Sequence, residues 1–370
     1  MPSILLVSPT GILGGAERIL HSVASYHVKA NWDVTFYVMS RGNQAGWSDL
    51  ESSKNFKFIV CDAPSEKRSL LSFIVSIMKI TREKKFDYVF SSHTHVNAVL
   101  SLLRKMGLID VGFLIGREST FIFDRFSGIK KIIFYLLYRF FYGQHDLLIC
   151  QTERMKSSLV AALKFSPAKN VSVIPNPINI ERIDNGISDE NDKEVFAGVE
   201  KRIVACGRLV PIKGFDVLIE SFAKIRSDGI NASLFIIGDG PERNRLCQLS
   251  KNNFVDNHVF LLGYQENPAR WLCGADMGVV SSEREGFPNV ILEMMASRVK
   301  NIVSTPCTDG LSVLPEVSVS AEFSVSSLSE TMKSVLTCDI DRSSNYRRYV
   351  VENRSVASFW SEITKKIDNE

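Results

Sequence analysis

Two glutamates eight residues apart, Glu285 and Glu293, bracket the most informative stretch of the chain, Ser281–Arg298, which reads SSEREGFPNVILEMMASR. It opens with serines and charged side chains and turns through Gly286-Phe287-Pro288. It then continues into Val290, Ile291, Leu292, Met294, Met295 and Ala296, the composition of a buried helix. Proline is tolerated in a first helical turn because its missing N–H would be unpaired there anyway, so the helix is predicted to begin near Pro288 or Asn289. Its first backbone N–H groups then stand free at a positive dipole end, which suits a phosphate. A carboxylate among apolar neighbours is costly unless it is hydrogen-bonded, and sugar hydroxyls are natural donors to one. Taken alone, the stretch reads equally well as an anion and sugar site or as a plain helix start with a capping acid and a solvated Glu.

Four other loops carry groups that could share that chemistry. Gly207-Arg208-Leu209-Val210-Pro211-Ile212-Lys213-Gly214-Phe215-Asp216 follows an apolar run. Arg208 and Lys213, fixed on one loop, can neutralise charge growing on a departing diphosphate; the plainer reading is a basic loop. Near the N-terminus, Ile4–Val7 leads through Ser8-Pro9-Thr10-Gly11 to Gly14-Gly15-Ala16-Glu17-Arg18. This is strand, glycine-rich loop and helix without the G-x-G-x-x-G dinucleotide fingerprint, and adjacent glycines allow a close backbone approach. The strand at Asp87–Phe90 ends in Ser91-Ser92-His93-Thr94-His95-Val96-Asn97, and Gly112–Ile115 ends in Gly116-Arg117-Glu118. Two histidines alone do not make a metal site. Arginine grips phosphate bidentately, whereas an Arg117–Glu118 surface pair would contribute little.

In this order the motifs resemble a known family. E-G-F-P-N-V-I-L-E-M-M-A resembles the E-x7-E motif of retaining glycosyltransferases of the GT-B fold, in the large family numbered four. G-G-A-E-R-x-L resembles that family's first loop, His95-Val96-Asn97 its H-x-N, Pro175-Asn176-Pro177 its interdomain hinge, G-R-L-x-P-x-K-G-F-D its donor loop, and Gly238-Asp239-Gly240-Pro241-Glu242 its G-x-G-P-E turn. The resemblance implies an α/β protein of two Rossmann-like, doubly wound parallel-sheet domains facing a cleft. Residues 1–178 would bind the acceptor and 179–345 the nucleotide-sugar, with 346–370 a final helix crossing back to the first domain.

The resemblance also implies roles. Arg208, Lys213 and the N–H groups around Gly286, Phe287, Pro288 and Asn289 would hold the diphosphate. Glu293 would bind ribose hydroxyls and Glu285 the donor sugar. Gly14, Gly15, Gly240 and the backbone beside Tyr264 would shape the donor pocket. His95, preferred over His93, would lie near the reacting sugar, and Glu17, Arg117 and Glu118 would meet the acceptor. The acceptor hydroxyl attacks on the face the diphosphate leaves, a leaving phosphate oxygen serves as base, and neither metal nor cofactor is required. The donor expected is a UDP-linked hexose or N-acetylhexosamine. The acceptor expected is a polyprenyl-diphosphate-linked saccharide in surface-polysaccharide assembly; the alternatives are a soluble or protein acceptor, a non-catalytic nucleotide-sugar-binding protein, and a nucleotide-sugar epimerase. One departure stands out: where relatives have a Gly-Gly pair, this chain has Pro306-Cys307-Thr308-Asp309-Gly310, which puts donor-sugar contacts from that loop in doubt.

The elements that must position these groups are legible as short apolar runs alternating with helical patterns, including strands at Val34–Val38, Phe56–Val60, Leu147–Cys150, Val171–Ile174, Leu234–Ile237, Val259–Leu262, Met277–Val280 and Ile302–Thr305. Asp184–Lys193 reads as a polar linker, Tyr346–Ile367 as one final helix, and Asp339-Ile340-Asp341 as surface. At 370 residues, 45% apolar and 23% charged, the chain is globular and long enough for two domains. A net charge of +3 gives no nucleic-acid signal. Seven cysteines without a C-x2-C pair argue for a reducing compartment rather than a disulfide or zinc framework. No signal peptide is evident, and no apolar run reaches the ~20 residues of a spanning helix. A cytoplasmic protein follows, with peripheral contact to an anionic membrane surface as an option. That option rests on Phe121–His145, rich in aromatics with Arg125, Lys130, Lys131 and Arg139, and on a second basic cluster at Lys79, Arg82, Lys84 and Lys85. Core packing is the expectation for the aromatics as a set.

Overall fold

The computed structural model describes residues 1–40, 45–61, 70–187 and 201–368. The chain forms two compact units, Met1–Pro177 with Val356–Glu370, and Ile178–Ser355. In the first unit the apolar runs become seven strands: β1 (Ser3–Ser8), β2 (Asp33–Val38), β3 (Phe56–Val60), β4 (Tyr88–Ser91), β5 (Phe113–Arg117), β6 (Leu147–Cys150) and β7 (Asn170–Val173). They pair in parallel in the order β3-β2-β1-β4-β5-β6-β7. Alternation of side chains splits β1 between two cores. Ile4 and Leu6 meet Leu20, Val23, Phe359 and Trp360 on one face. Leu5 and Val7 meet Phe73, Ile77, Leu100 and Leu103 on the other. Burial on both faces is why these strands read as nearly continuous hydrophobic runs.

The second unit repeats the design with β8 (Lys201–Cys206), β9 (Ala232–Ile237), β10 (Val259–Gly263), β11 (Met277–Val280), β12 (Asn301–Ser304) and β13 (Ser318–Val319), in the order β10-β9-β8-β11-β12-β13, all parallel. In each sheet the order reverses at one place, between β1 and β4 and between β8 and β11. Crevices beyond the carboxyl ends of strands at such reversals are where ligands collect in doubly wound sheets.

Three expectations need correction. The final helix is two helices, Ser343–Asn353 and Val356–Asp368. The break has a cause: the carbonyl of Arg354 accepts the N–H of Ile178 at 2.7 Å, and Arg354's guanidinium donates to the Tyr349 hydroxyl at 2.8 and 3.1 Å. Tyr346 and Val350 are therefore buried in the second unit, whereas Phe359, Trp360 and Ile363 are buried in the first. The polar stretch at Asp184 is not all linker, because Ile180–Ile187 is helical with Ile183 in the second core; residues 188–193 lie outside the described residues. Of the aromatics in Phe121–His145, Phe123, Tyr138 and Tyr142 are buried with Phe121, Phe126 and Phe134 packed against them, as expected, whereas Tyr135, Phe140 and Phe141 are exposed and Tyr138 is the one buried residue of the helix Gly128–Phe141. The proposed second basic cluster is also largely neutralised: Lys84 pairs with Asp33 at 2.6 Å, Lys85 with Asp110 at 2.9 Å, and Lys79 with Glu83 at 3.8 Å.

Candidate active site

In the second unit, the adjacent strands β8 and β11 deliver the basic loop and the Glu285 loop to the same place. Lys213 Nζ forms an ion pair with Glu285 Oε1, and Ser282 Oγ donates to the same oxygen at 2.8 Å. Both partners are partly open to solvent, with side chains 28% and 17% exposed. The two loops are sewn together along the backbone: Glu283 N–H donates to Ile212 O at 2.9 Å, and Ser281 Oγ to Lys213 O at 2.9 Å. Gly214 completes the seam. Its φ of +59° is a left-handed conformation that favours glycine, and a Cβ there would lie 2.1 Å from the Ser281 carbonyl oxygen. Arg208, on the same loop, is exposed.

The Gly238–Glu242 turn props up this loop from below. Leu209 N–H donates to Asp239 O at 2.9 Å and Glu242 N–H to Leu209 O at 3.1 Å, while a Cβ on Gly240 would sit 2.4 Å from Leu209 O. Gly240 is thus required for the backbone contact that shapes the Arg208 loop. Tyr264 follows β10 and is 69% exposed.

The helix that follows Glu285 starts where the sequence indicates, at Asn289, with Pro288 as the residue before it, and runs to Ala296. Phe287 is buried beneath the turn with the Arg354 guanidinium 5.6 Å from its ring, and Ile291, Leu292, Met294 and Met295 fill the core. Gly286, Asn289 and Glu293 remain half-buried at this end and along the helix. The loop that departs from the family pattern has a job of its own. Glu285 N–H donates to Cys307 O at 2.9 Å, and Thr308 Oγ1 donates to Gly286 O at 3.1 Å, so Cys307 and Thr308 clamp the Glu285-Gly286 backbone. Burial pushes the Cys307 thiol up to about 11, with a further push from Glu285, so it is a neutral packing group. Ser282 and Thr308 were missed from sequence; hydroxyl residues flanking a motif carry no distinguishing signal until the loops are brought together.

In the first unit, the reversal between β1 and β4 gathers Gly14, Gly15, Glu17, His93 and His95. Gly14 caps the helix Gly15–Lys29, and both glycines are exposed. A Cβ on Gly14 would sit 2.7 Å from Glu17 Oε2. The other oxygen of buried Glu17 meets His93 Nε2 at 3.0 Å. His93 is the residue before the helix Thr94–Lys105, and its ring lies 6.1 Å from that of His95. His95 is solvent-accessible and its imidazole is held below its ordinary value, by desolvation first and by His93 second. It is His93 that is tied to the acid and His95 that is open.

Arg117 and Glu118 do not face outward as expected; both are 1% exposed. Arg117 donates to Ser92 Oγ at 2.7 Å and to Asn176 Oδ1, and its Nε has no partner. Burial pushes its guanidinium down to about 10, which leaves it charged. Glu118 accepts from Thr94 Oγ1 and Tyr142 Oη, each at 3.0 Å, and burial raises its carboxyl against those hydrogen bonds. Gln151 bridges this network, donating to Glu118 O at 3.2 Å and accepting from Asn176 at 3.1 Å. The network fastens the Pro175-Asn176-Pro177 segment to the ends of β4, β5 and β6. Among the described residues no cluster of three or more His, Cys, Asp or Glu could hold a metal ion.

Comparison with known proteins follows the division into two units. The family described as Glycosyltransferase Family 4 matches residues 13–182, and Glycosyl transferases group 1 matches residues 187–354. An uncharacterized glycosyltransferase of Methanocaldococcus jannaschii is 30% identical over 68% of this chain, a match spanning 64% of that relative's length. The N-acetylgalactosamine-N,N'-diacetylbacillosaminyl-diphospho-undecaprenol 4-alpha-N-acetylgalactosaminyltransferase of Campylobacter jejuni is 26% identical over 84% of this chain and 81% of its own. Among solved structures, Anabaena HepE in complex with UDP and glucose superimposes with a TM-score of 0.79 at 15% identity, covering all of both chains, which shows the fold alone. Two doubly wound parallel sheets, the ordered motifs at their reversals and these matches establish that the chain is a GT-B enzyme belonging to the group 1 (family 4) glycosyltransferases.

Proposed function

We propose that the protein transfers a sugar, with retention of anomeric configuration, from a UDP-linked hexose or N-acetylhexosamine to a polyprenyl-diphosphate-linked saccharide. The observation that carries the donor half is the Lys213–Glu285 pair, held at the reversal between β8 and β11 beside the start of the Asn289–Ala296 helix. An incoming diphosphate competes with Glu285 for Lys213 Nζ. As the phosphates take the ammonium, Arg208 and the helix N-terminus add to the stabilisation of leaving charge. Glu285, relieved of its cation, is then available to a hydroxyl of the donor sugar, and Glu293 to the ribose. The acceptor hydroxyl attacks on the face from which the diphosphate leaves and passes its proton to a phosphate oxygen. The protein's own cations meet the charge, so the reaction is metal-independent on this reading. In the first unit Glu17 and His95 remain candidates beside the reacting groups, while Arg117 and Glu118 position the hinge segment.

UDP is favoured because HepE, which shares the fold, was solved with it, and the acceptor class because the Campylobacter relative is named for a diphospho-undecaprenol substrate. Such an acceptor stays in a membrane, so the enzyme works peripherally at an anionic surface. Thermal melting against UDP, GDP, ADP and their sugars tests the donor half, since a ligand of the native state raises the melting temperature by mass action. A shift with UDP that is lost in Lys213→Ala is expected. A shift of equal size in Lys213→Ala, or none with any nucleotide, would sink the assignment.

A further inference from the structure

The helix Gly128–Phe141 is the least conventional element of the first unit. On a 100° helical wheel, Ile129, Ile132, Ile133, Leu136 and Phe140 fall within one arc of about 100°. That stripe would ordinarily mark a core-facing surface. Here it faces solvent, each of the five being between 45% and 77% exposed. The opposite side of the helix is the one that packs: Tyr138 is buried, with Phe134 and Leu137 against the same cluster. A soluble surface rarely leaves five large aliphatic and aromatic side chains contiguous unless something covers them.

Charge says what covers them. Lys130, Lys131 and Arg139 are all exposed, and the helix contains no acidic residue. Arg139 lies over the Phe165 ring at 5.4 Å and Lys130 over the Phe126 ring at 6.0 Å, so the stripe is edged by cations carried on aromatic faces. A second protein would offer a facing surface of mixed charge. An outward apolar ridge bordered by basic groups suits the boundary between anionic headgroups and acyl chains. With 14 residues the helix is too short to cross a bilayer, and no helix among the described residues is long and apolar enough to do so.

We infer that the Gly128–Phe141 helix is an interfacial docking helix, lying flat on an anionic lipid surface with Ile129, Ile132, Ile133, Leu136 and Phe140 inserted and Lys130 and Arg139, one on each side of the stripe, at headgroup level. The inference rests on the reading of the acceptor as membrane-held and names the part of the protein that brings it there.

Sedimentation of the full chain with sucrose-loaded vesicles tests it, using phosphatidylcholine alone and phosphatidylcholine mixed with phosphatidylglycerol. Strong binding to the anionic vesicles is expected, weakening as salt is raised. Ile132→Glu/Phe140→Glu should lower the partition coefficient at least about tenfold. Lys130→Gln/Arg139→Gln should lower it about fivefold per charge removed. The UDP-induced melting shift, retained in each variant, reports that the protein is folded. The inference is overturned if the wild type binds neither vesicle, or if both variants bind as it does. It is also overturned if the protein dimerises in solution and Ile132→Glu abolishes the dimer, which would give the stripe to a second copy. A wild type that docks through this helix yet transfers sugar to no lipid-linked acceptor leaves the docking surface standing and sinks the acceptor reading instead.

Discussion

Two charged pairs, one in each unit, are built from the same kinds of side chain and behave as opposites. Lys213 and Glu285 meet at a partly solvated loop crossing, with a short serine as the further partner. Arg117 and Glu118 are sealed, and their partners come from four separate segments of the chain: Ser92 and Thr94, Tyr142, Gln151 and Asn176. An open pair can exchange its partner for a ligand at small cost, because water screens both charges throughout. A sealed one cannot, because any removal strands a charge in a medium that does not solvate it. Proximity of opposite charges alone therefore does not mark a binding site; a pair must also be open enough to exchange its partner.

The sharpest way to break this comparison is Arg117→Ala. It should destabilise the first unit by about 3–5 kcal/mol, by taking the guanidinium donors away from Asn176 Oδ1 and Ser92 Oγ beside a buried carboxyl, read as a lowered melting temperature without any change in UDP affinity per folded molecule. Near-normal melting of this variant would mean that the guanidinium is not structural and would restore it as an acceptor ligand. Glu285→Gln addresses the open pair. Transfer should fall about 10²-fold or more, as when one transition-state contact is lost, with melting scarcely altered. UDP alone should bind about twofold to fivefold tighter, because Lys213 no longer has a competing anion. Weaker UDP binding would show that Glu285 holds the lysine in place rather than competing for it.

A smaller effect tests the sealed side without touching the network. His27 is buried, donates from Nδ1 to Val23 O at 2.8 Å, and is pushed down to about 4 by burial; His145, with neither ring nitrogen paired, is pushed down to about 3. Between these values and the unfolded value near 6.5, the unfolded chain binds more protons than the folded one. Stability is therefore full above about pH 6.5 and falls as pH drops toward 4, by at most about 3 kcal/mol for His27. Melting followed from pH 7 to pH 4 should show this loss, and His27→Gln should flatten part of it. An unchanged slope would mean that the exposed pairs govern acid sensitivity.

The turns that carry the Lys213–Glu285 pair were legible because their residue types are dictated locally. Glu285, Glu293, Arg208 and Lys213 sit in short strings whose glycines and proline fix the backbone around them. The strands were legible as apolar runs, a consequence of burial on both faces. What escaped was everything that depends on distant partners. Arg117 looks like a surface arginine until Ser92 and Asn176, 25 and 59 residues away, are folded onto it. The clamp from Thr308 to Gly286 spans 22 residues. The aromatic and basic content of Phe121–His145 was legible but not which side of its helix would face solvent, because a pattern of every third or fourth residue is the same whether it points into a core or into solvent. The break at Arg354 was hidden for a similar reason: Tyr346, Val350, Phe359, Trp360 and Ile363 keep helical spacing although they belong to two different cores.

That break has a consequence for how the protein is made. The second unit is one uninterrupted stretch, Ile178–Ser355, whereas the first is assembled from both ends of the chain. Trp360 packs edge-on against His27 at 4.3 Å, Trp32 at 5.9 Å and Tyr88 at 5.3 Å. Until the ribosome has released Val356–Asp368, those aromatics have no lid. At ordinary synthesis rates they wait on the order of ten to forty seconds while the second unit emerges and folds. The half of the enzyme that is translated first is thus completed last, and a premature stop near Asn353 would spare most of the second unit while leaving its older neighbour to the chaperones.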